Sequence, residues 1–272
     1  MQSSRLVFLL VLLTFAKTAL AQQATASAPQ ATALLQQALS ALTGGQPLND
    51  VTLSGTARRI AGSDDESGTA VLKGLAAGAS RVDLSLSSGQ HSEIRNLSTA
   101  LPAGSWSGPD AIAHRIADHN LMLIDPAWFF PLFPISRGLT AGYAATYIGQ
   151  ETRNGKAVQH IAIAETSGVP SPSGSPSLAH LSQMDFFLDA ATLLPAAATF
   201  NIHPDNDAGR DFPIEVQFSD YRNVNGVQIP FHVQKFLNNG LILDLQFSSA
   251  AVNTGLSPTE FAVSAQQIGG GK

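Results

Sequence analysis

Apolar and polar residues alternate through three successive segments in the last quarter of the chain. The apolar positions repeat with period two from Phe212 to Phe218, again from Val227 to Val233, and again from Leu241 to Phe247. This period is typical of half-buried β-strands, whose side chains point alternately to the two faces of a sheet. Asn225-Gly226 and Asn239-Gly240 separate the segments and favour tight hairpin turns. The pattern predicts a strongly curved antiparallel sheet with one apolar face.

The same alternation predicts eight more strands upstream, which gives about eleven strands in all. They cover Val51–Arg59, Gly68–Lys73, Ser80–Ser87, His91–Leu97, Tyr143–Glu151, Ala157–Glu165, Ser182–Leu188 and Ala196–Ile202. A short helix is predicted over Ala111–Asp118, where the period changes, and an exposed loop over Val169–Ala179. Because the helical segments are too few for a βαβ fold, the sequence predicts a mainly β (α+β) domain.

Two apolar segments lie outside the predicted strands. Ala31 to Leu42 repeats alanine and leucine at helical spacing and Gly44-Gly45 ends it, so we predict an amphipathic helix that packs on the sheet. Leu121 to Ile135 is the most apolar stretch after the first 21 residues, but its three prolines exclude a continuous helix or a central strand. We predict one or two helical turns here, covering the open side of a half-open β-barrel.

The space beneath such a cover can hold an apolar ligand if the cover moves. The residues predicted to line this cavity or its lid are Leu35, Leu39, Trp128, Phe129, Phe130, Leu132, Phe133, Phe218 and Phe231. The alternative is that these side chains fill the core permanently, as aromatic clusters commonly do. The sequence leaves both interpretations open.

The first 21 residues have the organisation of an export signal. Arg5 precedes an apolar run from Leu6 to Phe15, and Ala19-Leu20-Ala21 forms a cleavage site of small residues. We therefore predict a signal peptide over residues 1–21, a flexible leader over 22–30, a single β domain over 31–265 and a disordered tail over 266–272. The expected product is a periplasmic monomer with no membrane span after cleavage.

Composition narrows the classes of function. The chain of 272 residues contains no cysteine, which excludes disulfides, thiolate metal sites, a cysteine nucleophile and a lipid anchor on an N-terminal cysteine. Charged residues make up only 13% of the chain, and its net charge is −5. Since lysine and arginine form no cluster, we expect no nucleic-acid partner.

Motifs for catalysis and metal binding are weak. Gly104 to Gly108 places a tryptophan where a serine-hydrolase elbow has its nucleophile. Asp110, His114 and Asp118 would share one face of a helix and could hold a metal, but such a row is more often a solvated polar face. The segment 205–211 is loosely similar to a calcium loop and lacks its distal glutamate. The other histidines are scattered without ligand spacing, so we expect no catalytic residue, cofactor or metal.

The order of elements resembles the LolA/LolB-like family of periplasmic lipoprotein carriers and their relatives. The resemblance includes an export signal, an amphipathic helix and a first strand of the type Val51-Thr-Leu-Ser-Gly55. It is closest over Tyr221-Arg-Asn-Val-Asn-Gly226-Val-Gln-Ile-Pro-Phe231 and the closing Leu256-Ser-Pro-Thr-Glu-Phe261. The resemblance implies an unclosed β-barrel, capped by helices, with an apolar cavity for acyl chains and no catalytic residues.

Three functions remain open at this stage. The first is a non-catalytic carrier or envelope sensor that binds lipid or lipoprotein acyl chains in the half-open barrel. The second is an envelope module with the same fold and a filled core, which binds a protein partner. The third is an enzyme, which would require polar side chains that converge inside the cavity; the alternation does not predict them, so we expect a protein that is not an enzyme.

Overall fold

A single antiparallel sheet forms most of the structure. The computed structural model describes residues 28–99, 101–166 and 177–263, and within them thirteen strands join one unclosed, mainly β sheet. The predicted signal peptide (1–21) and tail (266–272) lie outside the described residues. Among the described helices, none has both the length and the apolar character needed to cross a bilayer.

The elements have the following bounds. The strands cover Asp50–Ala61 (β1), Asp64–Leu75 (β2), Ala79–Leu86 (β3), Gly89–Asn96 (β4), Ala103–Ser107 (β5), Ala113–Arg115 (β6), Tyr143–Arg153 (β7), Lys156–Glu165 (β8), Met184–Asp189 (β9), Pro195–Ile202 (β10), Phe212–Val224 (β11), Val227–Leu237 (β12) and Gly240–Val252 (β13). The helices cover residues 28–43 (α1), Leu132–Gly138 (α2) and Leu178–Ser182 (α3), with 3-10 turns at Asp118–Leu121 and Pro258–Phe261. Residues 28–30, predicted as part of a flexible leader, therefore belong to helix α1.

The strand order explains where the chain must cross the sheet. The order is β6-β5-β4-β3-β2-β1-β13-β12-β11-β10-β9-β8-β7, so β1 and β13 pair in the middle, while β6 and β7 form opposite edges. Residues 116–142 connect these two edges and contain the first 3-10 turn and α2. The most apolar segment of the chain is thus the edge-to-edge connection, which places it across one face of the sheet.

Hairpin turns form at paired Asn and Gly residues, and one of the two turns predicted from Asn-Gly pairs is shifted. Asn154-Gly155 and Asn225-Gly226 both have positive φ angles, which asparagine and glycine adopt at low cost in such turns. The third hairpin turns at Asn238 and Asn239, with φ angles of 49° and 65°, and Leu237 pairs with Gly240. This turn therefore lies one residue earlier than predicted.

The prediction of about eleven strands missed β5 and β6. The helix predicted over Ala111–Asp118 is wrong, because Ala113–Arg115 pairs with β5 and Trp106 lies opposite His114. The indole and imidazole rings stack with centroids 4.3 Å apart. Sheet pairing and this ring contact override the weak helical propensity of a segment this short.

The core lies between the sheet and two covering segments. Helix α1 packs on it through Ala31, Leu35, Ala38 and Leu42, all fully buried and spaced as an amphipathic helix requires.

After β13 the chain closes in the 3-10 turn at Pro258–Phe261. Ser257 caps this turn, and it forms a capping box with Glu260.

Candidate functional site

We call residues 121–138 the cover segment. Its aromatic rings are buried against the sheet, and Phe130 contacts Phe133 edge-on with ring centroids 5.0 Å apart. Glycine permits close packing on both halves of the sheet. A Cβ at Gly74 of β2 would lie 3.0 Å from the Phe133 ring, and one at Gly138 would lie 2.7 Å from Ile163 of β8.

The structure places the nine predicted ligand-lining residues in one hydrophobic cluster. Eight are buried, and Leu39 is partly buried against them. The cover segment is therefore packed as core in this structure. Whether it also moves to admit a ligand stays a prediction.

An internal ion pair and hydrogen bonds to the sheet hold the cover segment in place. The Asp125 carboxylate is fully buried; it accepts a hydrogen bond from the Arg137 Nε at 3.0 Å and one from the Ala127 amide at 2.9 Å. Arg137 also donates to the Ala76 carbonyl between β2 and β3. The Ser80 hydroxyl donates to the Pro126 carbonyl. Both ends of the cover segment are thus tied to the β2–β3 hairpin.

The charge state of Asp125 links stability to pH. Burial raises the pKa of Asp125 from 3.8 to about 6, although Arg137 and the Ala127 amide oppose the shift. Because the folded-state pKa is the higher one, the stability that protonation contributes is fully present below about pH 4 and is lost as the pH rises through about 6. Over this pH range the free energy of unfolding falls by about 3 kcal/mol.

We expect the parent protein to lose stability relative to Asp125→Asn between pH 4 and pH 7, because only the parent acquires the buried charge. Urea unfolding of both proteins across this range measures the difference. A difference that stays constant with pH would show that Asp125 titrates normally.

An open cleft of about 910 Å³ lies at one end of the core. Its apolar wall comes from Val82, Leu84 and Leu243 on the core-facing side of the sheet and from Trp128 of the cover segment. A second cavity, of about 520 Å³, lies between α1 and the cover segment and is lined in part by Leu39, Leu132 and Phe133. Four of the nine predicted residues therefore line a cavity.

Trp106 lies at the edge of the first cleft, which the sequence did not predict. Cross-strand pairing places Val82, Glu93, Trp106 and His114 in one row on β3 to β6. Trp106 is 46% exposed, whereas Trp128 is 4% exposed. Both tryptophans of the chain thus line the same cleft.

The cleft also contains charged side chains at core-facing positions. Lys235 lies on the same core-facing side of β12 as Val233. Its Nζ is 4.2 Å from the centroid of the Trp128 ring. Glu93 accepts a hydrogen bond from Arg95 Nε at 2.9 Å. The expectation that alternation leaves no polar groups inside the cavity is therefore wrong at this end.

Burial and mutual contacts shift the pKa values of these groups. Burial lowers the pKa of Lys235 to about 8, while the Glu93 charge opposes this shift and the Arg95 charge adds to it. Burial favours the neutral form of Glu93, but the charges of Arg95 and Lys235 outweigh it, so the pKa of Glu93 lies below its ordinary value. Arg59 and Lys235 bring positive charge to the cleft wall, and Glu93 and Asp110 bring negative charge.

The row of Asp110, His114 and Asp118 does not form a helical face. Asp110 precedes β6, His114 lies within it, and Asp118 begins the 3-10 turn. Asp118 instead pairs with Arg115 on the surface. The geometry that could have made this row a metal site is therefore missing.

Three solved structures show what this architecture is similar to. A domain from Vibrio parahaemolyticus named for outer membrane lipoprotein sorting matches with a TM-score of 0.55 and 13% identity, over 86% of this chain and 97% of that one. A LolA superfamily protein from Nitrosomonas europaea matches with a TM-score of 0.52 and 12% identity, over 86% and 97%. A DUF1329 family protein from Desulfovibrio piger matches with a TM-score of 0.53 and 12% identity, over 89% and 99%.

Sequence comparison adds no closer relative, because no protein-family model and no curated protein matches the chain. At identities this low, the structural likeness establishes the fold alone. The resemblance seen in the sequence is confirmed at that level: the chain has the LolA-like fold, an unclosed antiparallel sheet with a helix packed on it.

Proposed function

We propose that this protein is an exported, non-catalytic carrier or sensor that binds lipid or lipoprotein acyl chains in a half-open β-barrel. The observation that carries the proposal is the open cleft beside Trp128. Its volume of about 910 Å³ lies within the range of roughly 300–1,000 Å³ typical of small-molecule sites. The shared fold supports the proposal, because one of the matched structures is named for lipoprotein sorting.

The chemistry of the cleft suits an amphiphile. An acyl chain would lie along Val82, Leu84 and Leu243 and gain about 0.8 kcal/mol for each methylene group removed from water. Arg59 and Lys235 line the same cleft and supply positive charge for an anionic head group. The binding site proposed here is the cleft, whereas the sequence predicted a site at the buried phenylalanines. Trp128 belongs to both.

A protein-binding envelope module is the second candidate. The observation that favours it is the complete burial of Phe129 and Phe130, which leaves no space around these rings for a ligand. In that case the cleft is a surface groove without an acyl chain, and the protein acts through a protein partner in the envelope.

Tryptophan emission gives a direct test, because both tryptophans line the cleft. We expect palmitate added to the delipidated protein to change the emission, and native mass spectrometry to detect one bound chain. Trp106→Asp places a charge at the cleft and should weaken palmitate binding by about tenfold or more, equivalent to about 1.4 kcal/mol.

The matched control is Ile148→Asp, which adds the same charge at a site 56% exposed on β7, outside the cleft. It should bind palmitate as the parent does. If palmitate and a synthetic lipopeptide both fail to bind the parent protein, the carrier function is excluded and the protein-binding module is preferred.

A further inference from the structure

His180, His203 and Asp211 meet where β10 leads into β11. His180 lies in α3, His203 follows β10, and Asp211 precedes β11. One nitrogen of each imidazole and one oxygen of the carboxylate lie within 4.8 Å of one another. Asp211 Oδ1 is 3.0 Å from His180 Nε2 and 3.3 Å from His203 Nδ1. In the part of the chain that the structure describes, no other three His, Asp or Glu residues group in this way.

Neighbouring residues hold His203 in place. Its side chain is 1% exposed, and its backbone exchanges two hydrogen bonds with the Asn120 side chain, at 2.8 and 2.9 Å. The His119 ring packs edge-on against the His203 ring, with centroids 5.9 Å apart. His203 is thus set in one orientation before any ligand binds, as a built site requires.

One nitrogen of this buried ring has no partner. His203 Nδ1 is the nitrogen that faces the other members of the group: it lies 3.3 Å from Asp211 Oδ1 and 3.2 Å from the Arg210 carbonyl oxygen. A cation bound at Nδ1 would leave the ring proton on Nε2, which has no hydrogen-bond partner among the described residues. A buried polar atom left unpaired costs free energy, which a bound ion at Nδ1 would offset.

We propose that His180, His203 and Asp211 bind a divalent first-row transition-metal ion, of which Zn²⁺ is the representative. Two imidazoles and one carboxylate match the ligand preference of these ions and leave a coordination position for water. His180 and Asp211 are 40% and 39% exposed, so an ion can reach the site from solvent. The ion links α3 to the β10–β11 connection, independently of acyl-chain binding.

The charge around the site is mixed. Asp205 and Asp207 lie in the same connection and add negative charge. The Arg210 guanidinium lies over the Phe212 ring, 5.0 Å from its centroid. With Asp211 included, the connection contains three carboxylates and one guanidinium, a balance that favours a cation.

Calorimetric titration of ZnCl₂ into protein freed of metal with a chelator tests the proposal. We expect one ion per chain and a higher melting temperature with zinc, because the ion binds only the folded state. His180→Ala and Asp211→Asn each alter a half-exposed ligand and should weaken binding by at least about tenfold, as even second-shell changes do. X-ray absorption at the zinc edge should show two imidazole ligands.

His232→Ala is the matched control. It removes an imidazole that also contacts a carboxylate, Asp244, at 2.8 Å, but without a third ligand. It should leave zinc binding unchanged. The proposal is overturned if the parent binds no zinc, or if His180→Ala and Asp211→Asn bind it as tightly as the parent.

Discussion

Replacing Arg137 with leucine should lower the free energy of unfolding by about 3–5 kcal/mol at pH 7, the range found when one partner of a buried ion pair is removed. Arg137 is the charged partner of the fully buried Asp125 carboxylate, and it also donates to the Ala76 carbonyl. Without it, the carboxylate must either stay charged in the core or take up a proton. Urea unfolding at pH 7 measures the loss.

Two variants separate this mechanism from a general loss of packing. Asp125→Asn combined with Arg137→Leu should recover part of the stability, because no buried charge is left. Arg115→Leu breaks an ion pair whose two side chains are 65% and 64% exposed, and it should change stability little. If Arg137→Leu were as mild as Arg115→Leu, the Asp125 carboxylate would have to be hydrated in solution.

Phe130→Ala should also destabilise the protein by about 3–5 kcal/mol, the cost typical of deleting a buried phenylalanine ring. Phe130 is fully buried, and its ring packs edge-on against Phe133 between the cover segment and the sheet. The sheet is held by its own hydrogen bonds and cannot collapse far into the space left by the ring. Thermal and urea unfolding give the size of the effect.

This substitution also decides whether the cover segment behaves as core or as a lid. Ile148→Ala, at a side chain 56% exposed on β7, is the control and should have almost no effect. A loss below about 1 kcal/mol in Phe130→Ala would show that the segment leaves the sheet at little cost. Palmitate uptake would then proceed beneath the cover segment, and the buried phenylalanines would again be candidates for ligand contact.

Local patterns predicted most of the sheet because strand alternation and hairpin turns are local properties. Val216 and Val233 are fully buried on the side that their alternation indicated. The strand Ala113–Arg115 was missed because three residues carry no readable period, and only its pairing with β5 defines it. The likeness to LolA-like proteins was readable for the same reason, since it rests on the order of strands and turns.

The site was less predictable because it depends on residues that are distant along the chain. The aromatic cluster was identified, but the sequence does not show which end of the core stays open. The inward position of Lys235 could have been predicted, since it lies two residues after Val233 and therefore on the same face of the strand. Glu93 could not, because neither face of its strand is apolar. His180 lies in helix α3, which includes the last two residues of the loop predicted over Val169–Ala179, and only the fold brings it to His203 and Asp211.

The central pairing of β1 with β13 has a consequence for the order of folding. Val51 lies opposite Val252, so the two halves of the sheet are joined by strands from opposite ends of the described chain. Until β13 is available, β1–β6 and β7–β12 can form only as separate half-sheets, and β1 and β12 each have an open edge. Such non-local pairing forms slowly. The last strand, β13, therefore joins the two half-sheets. We expect a chain that ends before Gly240 to expose two unpaired strand edges and to have no native state.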